Sequence, residues 1–278
     1  MFARAPIVLL AFAVASGAAH GEARMAAFDH HYGRYASVLA RHLRGPRVDY
    51  AALKANRADL DQVVASFAGV TAADEASWSR AERLAFWINA YNVFTLRAIV
   101  DHYPIQGSWM SLYPRNSIRQ IDGVWTDVKW MAAGREVTLD EIEHQILRPQ
   151  FQEPRMHLAI NCASVGCPPL AAEPYRAASL HQQLDAATAR YLASPLGLVV
   201  SGSTLRMSSI FKWFGGDFEA RYGPEGPASR SGTDRALLGL IMKHGPVNAR
   251  TIAGAGKARI TFLDYDWSLN DVANATSR

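Results

Sequence analysis

The chain has 278 residues and a formal charge of +4, with 49% apolar and 10% aromatic side chains. That supplies enough apolar surface for a substantial core, yet no run reaches the roughly 18–20 apolar residues of a membrane span. The basic excess is weak and unclustered, which argues against nucleic-acid binding.

Residues 1–21 read as a secretory signal. Arg4 supplies the positive start, residues 7–14 form an apolar run too short to cross a bilayer, and small residues with cleavage points near Ala19 and Gly21 follow. No cysteine lies near the cleavage region, so a lipid anchor is not expected; the expectation is a periplasmic or secreted protein. Roughly 255 residues then remain for one large domain with a helical lead-in.

The lead-in covers 22–78, with helices expected over 25–43 and 51–67 around Gly45-Pro46. Tyr32, Tyr35, Val38 and Leu39 recur at helical spacing on the first. A stronger helix begins at Ser79, whose capping box with Glu82 opens a run to about Tyr103, before Pro104. Its centre, Leu84-Ala-Phe-Trp87-Ile-Asn89-Ala-Tyr91-Asn92-Val-Phe94, is apolar on nearly every side, the mark of a buried helix. Strands are expected over 124–130 and 135–137, then a helix from the Thr138–Glu141 capping box to about Leu147. A short strand over 156–161, a helix over 179–193, a hairpin of 198–200 with 204–207, a helix over 234–244 and a strand over 259–266 follow. The Gly/Pro stretch leading to Thr233 reads as a mobile loop. Together these elements predict an α+β single domain: a long buried central helix, with helices packed around a small, mostly antiparallel sheet. The core domain is expected over 79–270, with a tail over 271–278.

Chemistry concentrates in His157-Leu-Ala-Ile-Asn161-Cys162-Ala-Ser164-Val-Gly-Cys167-Pro168-Pro169, which holds both cysteines. On a strand, His157 and Asn161 face the same side while Leu158 and Ile160 face the core. A cysteine nucleophile needs a thiolate, which an imidazole or backbone donors favour, and a third polar group orients the imidazole. Cys162 or Cys167 would attack, His157 would be the base, and Asn161, Asp217 or Asp266 would orient it. Backbone N–H groups of the 163–166 loop would hold the oxyanion. The same thiols could instead close a Cys162–Cys167 disulfide in an oxidising compartment, or act as a redox pair. A zinc site from His157, Cys162 and Cys167 lacks a fourth ligand, so no metal and no cofactor is expected.

Two further features bear on this segment. Asn89 and Asn92 lie at i and i+3 on the buried helix, and buried amides must find partners, either a backbone segment or a polar site. The stretch Ser208-Ser-Ile-Phe211-Lys-Trp213-Phe214-Gly-Gly216-Asp217-Phe218 crowds aromatics around a turn beside a carboxylate, and Tyr265-Asp266-Trp267 repeats the style. Gly254-Ala-Gly256-Lys257 lacks the full phosphate-loop pattern.

Phe86-Trp-Ile-Asn-Ala-Tyr-Asn92, the His157–Pro168 segment, Ile210-Phe with Asp217-Phe218, and Phe262-Leu-Asp-Tyr-Asp-Trp267 together resemble the domain-of-unknown-function 547 family. The resemblance runs from about Ser79 to Asn270. It implies a shared fold and a shared polar site at Asn89, Asn92, His157, Cys162, Ser164 and Cys167, with no established reaction.

Three functions compete on these residues. The first is an exported cysteine-dependent hydrolase or acyl-transfer enzyme acting on peptide or amide bonds. The second is a non-catalytic periplasmic module binding a small polar or peptide-like ligand, its cysteines bridged. The third is a thiol–disulfide enzyme. Convergence of His, Asn and Cys at one place favours the first.

Overall fold

The computed structural model describes residues 27–275. The signal sequence expected over 1–21 lies outside the described residues. Among the described residues no helix is long and apolar enough to cross a membrane.

The architecture is α+β and centres on helix α5 (Arg80–His102), preceded by α1 (Gly33–His42), α2 (Tyr50–Ala55), α3 (Ala58–Ala68) and α4 (Ala72–Ser77). The capping box at its start is present in full, Ser79 taking the Glu82 N–H and Glu82 returning to the Ser79 N–H. From Leu84 to Leu96 every residue is buried. Its apolar girth is therefore matched by neighbours on all sides: α3 and α2 from the lead-in, and the segment after Thr138 from the core. An aromatic cluster of Phe28, Phe67, Trp78 and Phe86, with ring centroids 5.0–5.6 Å apart, ties the lead-in to the start of α5. The helix expected over 51–67 is broken into α2 and α3 at Asn56, whose side chain bonds back to the Ala52 carbonyl and ends the first turn run.

Strand content is small and divided. β1 (Leu43–Arg44) and β2 (Arg47–Val48) form one ribbon; β3 (Trp130–Ala132) and β4 (Arg135–Val137) form a hairpin turned by Ala133 and Gly134, both at positive φ. The strand expected over 124–130 is instead a turn, in which Gly123 O accepts from Thr126, Asp127 and Val128. β5 (Leu198–Ser201) pairs antiparallel with β6 (Thr204–Met207), as the hairpin pattern predicts. β7 (Arg259–Phe262), however, runs parallel to β6, so the largest sheet is mixed. The reason is the long helical crossover between them, through α8 (Ser209–Phe214), α9 (Glu219–Tyr222), α10 (Gly232–His244) and α11 (Val247–Gly254).

Two apolar clusters result. One surrounds α5; the other gathers β5, β6, α8, α10 and α11. Helix α7 (Leu180–Leu192) joins them, giving Leu180 and Leu184 to the first and Tyr191 and Leu192 to the second. The Pro154–Leu158 segment straddles the same seam, with Met156 in one cluster and Leu158 in the other.

The chain after β7 leaves the sheet earlier than the sequence pattern predicts and becomes a strap across the cysteine loop. Val165 N–H donates to Ser268 O (2.8 Å), Gly166 N–H to Asp266 O (2.9 Å), and Asn270 N–H to Ala163 O (3.0 Å). Gly166 lets the strap pack closely: a Cβ would come within 3.1 Å of both the Asp266 nitrogen and the Tyr265 ring. The strap also reaches the lead-in, where Tyr50 donates to Asn270 Oδ1 (2.8 Å) and Val48 N–H to Asn270 O (2.9 Å).

Candidate functional site

His157 does not lie on a strand. Pro154 presets the first turn, the Glu153 side chain accepts from Arg155 N–H, and Met156 O then takes the N–H groups of Ala159 and Ile160. A short 3₁₀ helix results, so the strand alternation that would pair His157 with Asn161 does not apply. The run is apolar because it is buried between the two clusters, and burial alone does not select a strand.

Asn161 is accordingly a brace. Its Nδ2 donates to Pro168 O (2.8 Å) and its Oδ1 accepts from Ala163 N–H (2.9 Å), closing the cysteine loop on itself. Asn92 holds the entry of that loop, donating to Ala159 O (3.0 Å) and accepting from Asn161 N–H (2.8 Å). Asn89 does the same for Tyr175, taking its N–H (3.0 Å) and giving to its carbonyl (2.8 Å). Both helix amides therefore bind backbone segments. Asp266 caps a turn through Ser268 N–H (2.9 Å) and is not the carboxylate that holds His157.

Asn92→Ala would leave a buried carbonyl and a buried N–H without partners. We expect it to lower stability by about 2–4 kcal/mol and to slow alkylation of Cys162. Asn89→Ala should lower stability similarly and leave alkylation unchanged; equal alkylation of both variants would show that Asn92 does not position the thiol. Denaturant midpoints and iodoacetamide rates give the two readouts.

The carboxylate on His157 is Asp217, from the turn after α8. Asp217 Oδ2 lies 2.7 Å from His157 Nε2, and Arg148 clamps the same carboxylate through Nε (2.7 Å) and Nη2 (2.9 Å). Phe214 stacks on the imidazole with centroids 4.2 Å apart. Burial pushes the imidazole toward its neutral form against the pull of Asp217. Burial also works against the Asp217 charge, but the bonds from His157 and Arg148 prevail and hold it well below the usual carboxylate range.

The other imidazole nitrogen, Nδ1, lies 3.8 Å from Glu143 Oε1. Glu143 sits on the segment Ile142–Phe151, which is wound as a π-helix directly after the capping-box turn α6 (Leu139–Glu141). Its Oε2 accepts from the Tyr91 hydroxyl (3.3 Å). Burial, reinforced by the nearby Cys162 charge, lifts this carboxyl to about 7.

Cys162 is partly exposed and Cys167 buried, and both are free thiols. Their sulfurs are 2.7 Å apart, with Ser164 Oγ at 3.1 Å and Tyr265 Oη at 3.3 Å from Cys162 Sγ. Donation from the Cys167 thiol overcomes burial, with the two hydroxyls adding to it, and brings Cys162 down to about 6. Cys167 moves the other way: burial and the adjacent sulfur hold it well above its ordinary value. Tyr265, half-buried with its hydroxyl beside the sulfurs, is pushed up by desolvation and by their charge and so stays protonated. Ala163, next to the thiolate, is held at φ 58°, a left-handed backbone that costs an alanine about 1–2 kcal/mol. Most of the loop's amides are engaged elsewhere, Ala163 to Asn161, Val165 and Gly166 to the strap, Cys162 to Cys167 Sγ at 3.0 Å, whereas the Ser164 N–H is directed at the Cys162 sulfur.

Cys162, Cys167, His157 and Glu143 all line one cavity of about 510 Å³ at the seam between the apolar clusters. Its walls are aromatic: Trp125 and Tyr91 on the α5 side, Trp213, Phe214, Tyr265 and Trp267 on the other. Arg119 closes one wall, its guanidinium 4.5 Å from the Tyr113 ring and 5.0 Å from Trp267. Among the described residues no group of three or more His, Cys, Asp or Glu is placed to hold a metal ion. Of the residues singled out by sequence, Cys162, Cys167, Ser164, His157 and Asp217 therefore meet at one site, whereas Asn89, Asn92, Asn161 and Asp266 support it from outside. Glu143, Arg148 and the Tyr265 hydroxyl had no separate signal. Glu143 follows Asp140 and Glu141 in the first turns of a helix, where acidic residues are ordinary.

Comparison with curated proteins and with solved structures yields no match. Residues 76–192 match the family described as protein of unknown function DUF547, the family whose motifs the sequence resembles. Cys162, Glu143 and His157 fall inside that match, and Asp217 and Tyr265 beyond it. The likeness to the DUF547 family thus extends over residues 76–192, which hold helix α5 and the cysteine loop.

Proposed function

We propose that the protein is a cysteine-dependent hydrolase or acyl-transfer enzyme acting on peptide-like or amide substrates, in the periplasm or outside the cell. The observation that carries this reading is the Cys162 sulfur, partly exposed on the wall of an aromatic cavity and within hydrogen-bond reach of Cys167 Sγ, Ser164 Oγ and Tyr265 Oη. Cys162 Sγ attacks the substrate carbonyl carbon and forms the C–S bond. The Ser164 N–H and the Ser164 and Tyr265 hydroxyls are the donors beside the oxyanion, since the amides of Ala163, Val165 and Gly166 are engaged. Glu143, protonated, gives its proton to the leaving amine as the C–N bond breaks. As carboxylate it then takes a proton from the water that cleaves the thioester, and Cys162 departs as thiolate. Asp217 and Arg148 hold His157 in place, and His157 in turn faces Glu143. His157 is thus a positioning residue rather than the base.

The active form pairs a thiolate with a protonated carboxyl. Activity should rise as Cys162 ionises through about 6 and fall as Glu143 loses its proton through about 7, with the two titrating as a pair. Iodoacetamide alkylation needs the thiolate only, so it should rise through the same acid limb and then stay high. Hydrolysis of a panel of chromogenic amides and thioesters across pH 4–9 tests the reading, where the pH range is roughly that in which both groups titrate. No turnover of any member by a protein whose Cys162 alkylates rapidly would sink it.

A further inference from the structure

The cavity contains a second thiol for which the hydrolytic steps give no covalent role. Cys167 is buried, projects from the far end of the same loop, and stands 2.7 Å from Cys162 Sγ. A hydroxyl could give the nucleophile the same donation, whereas only a second sulfur is able to capture it. The separation is already within the reach of a bridge, whose bond length is about 2.05 Å. The loop that carries both sulfurs is anchored at each end: Asn161 to Pro168 by a 2.8 Å bond, and Gly166 to the strap. The two sulfurs thus approach without any rearrangement of the fold.

We propose that Cys162 and Cys167 form a hydroperoxide-reactive pair, in which Cys162 is oxidised and Cys167 resolves it to a disulfide. The Cys162 thiolate attacks the terminal oxygen of a hydroperoxide. The S–O bond forms, the O–O bond breaks, and the alkoxide or hydroxide leaves and takes a proton from water. Cys162 is then a sulfenic acid, and the hydroperoxide has been reduced by two electrons. The Cys167 sulfur attacks Cys162 Sγ, the S–S bond forms, and the sulfenic hydroxyl leaves with the Cys167 proton as water. An external dithiol reverses the bridge by exchange and is itself oxidised to its disulfide.

The division of labour fits the geometry. Both sulfurs line the cavity, but Cys162 is the partly exposed one, open to a small oxidant, and Cys167 the more deeply buried. Resolution within the loop protects Cys162 from the irreversible sulfinic and sulfonic states. The Ser164 and Tyr265 hydroxyls that flank Cys162 are also placed to donate to the departing oxygen. The bridge removes the nucleophile, so hydrolysis stops while it is closed. That shut-off rests on the hydrolytic reading, whereas the bridge itself does not.

The test uses the whole protein, hydrogen peroxide and a bulkier organic hydroperoxide, with thiols counted by alkylation and mass spectrometry. At pH 7 the oxidation of Cys162 should exceed that of free cysteine by about two- to threefold, a roughly 30-fold larger thiolate fraction offset by the weaker nucleophilicity of a less basic thiolate. Both thiols should vanish together, and dithiothreitol should restore both. Cys167→Ser should stop at a sulfenic acid trapped by dimedone, and Cys162→Ser should leave Cys167 reduced. If wild-type protein instead accumulates sulfinic acid on Cys162 while Cys167 still alkylates, the pairing is overturned. If peroxide oxidises neither thiol faster than free cysteine, the proposal fails as well. Both of these outcomes are measured on the wild-type protein, so poor folding of a variant does not blunt them. A protein that forms the bridge yet hydrolyses no reporter would sink the hydrolytic reading alone.

Discussion

Cys162→Ser should reduce turnover by on the order of 10³-fold or more while leaving the far-ultraviolet circular dichroism unchanged. A serine hydroxyl fits where the thiol sits, so the bonds to Ser164 and Tyr265 persist in altered form. What disappears is the anion. A thiol brought to about 6 is mostly ionised at neutral pH, whereas the hydroxyl is not, and no base is bonded to that position to remove its proton. His157 cannot do so, being held by Asp217 at one nitrogen and facing Glu143 with the other. In a Ser–His–Asp site the same exchange would leave a working general base behind; here it does not. Turnover by Cys162→Ser within tenfold of wild type, a margin of about 1.4 kcal/mol, would exclude Cys162 as the nucleophile.

Glu143→Gln should have opposite effects on turnover and on stability. Loss of the proton donor should cost about 10²–10⁴-fold in turnover, the usual contribution of a positioned acid–base group. Stability should rise. In the unfolded chain this carboxyl titrates near about 4.3, whereas in the fold it titrates at about 7. A raised value means that the fold prefers the protonated form. The contribution is fully present below the unfolded value and is lost as pH climbs through about 7. By pH 8 the buried carboxylate therefore costs on the order of 3 kcal/mol relative to low pH. Glutamine keeps the shape and the Tyr91 contact without the charge, so the variant should gain most of that difference at pH 8 and little at pH 4.5. Urea unfolding at the two pH values reads the effect. An equal shift at both would mean that the gain has nothing to do with ionisation.

The contrast between these residues explains what is legible in the sequence. Helix α5 is readable because its signals are local: Ser79 with Glu82, and apolar residues on every face. Asp217 stands out beside a Gly-Gly turn among aromatics, and the fold does carry it to His157. The run around His157 misleads because a short apolar stretch reads alike in a strand and in a buried 3₁₀ turn, and Pro154 settles the matter. Asn161 and the helix amides need partners wherever they are buried, but partners could be ligand or backbone, and only tertiary packing chooses backbone. Glu143 is illegible for a different reason. Asp140 and Glu141 share its composition and spacing, and burial under Tyr91 and His157 alone sets it apart.

The strap over the cysteine loop has a consequence in time. Tyr265 lies 103 residues beyond Cys162 in the chain. At translation rates of about 5–20 residues per second, Cys162 leaves the ribosome roughly 5–20 s before Tyr265 follows. Until then the loop lacks the hydroxyl of Tyr265, the anchors on Val165 and Gly166, and the wall that Trp267 contributes. The site around Cys162 is therefore complete only when the strap closes, although Cys167, its nearest partner, follows within the same loop. A chain cut short before residue 265 would lack the Tyr265 hydroxyl and one wall of the cavity while keeping Cys167 and Ser164 in the loop.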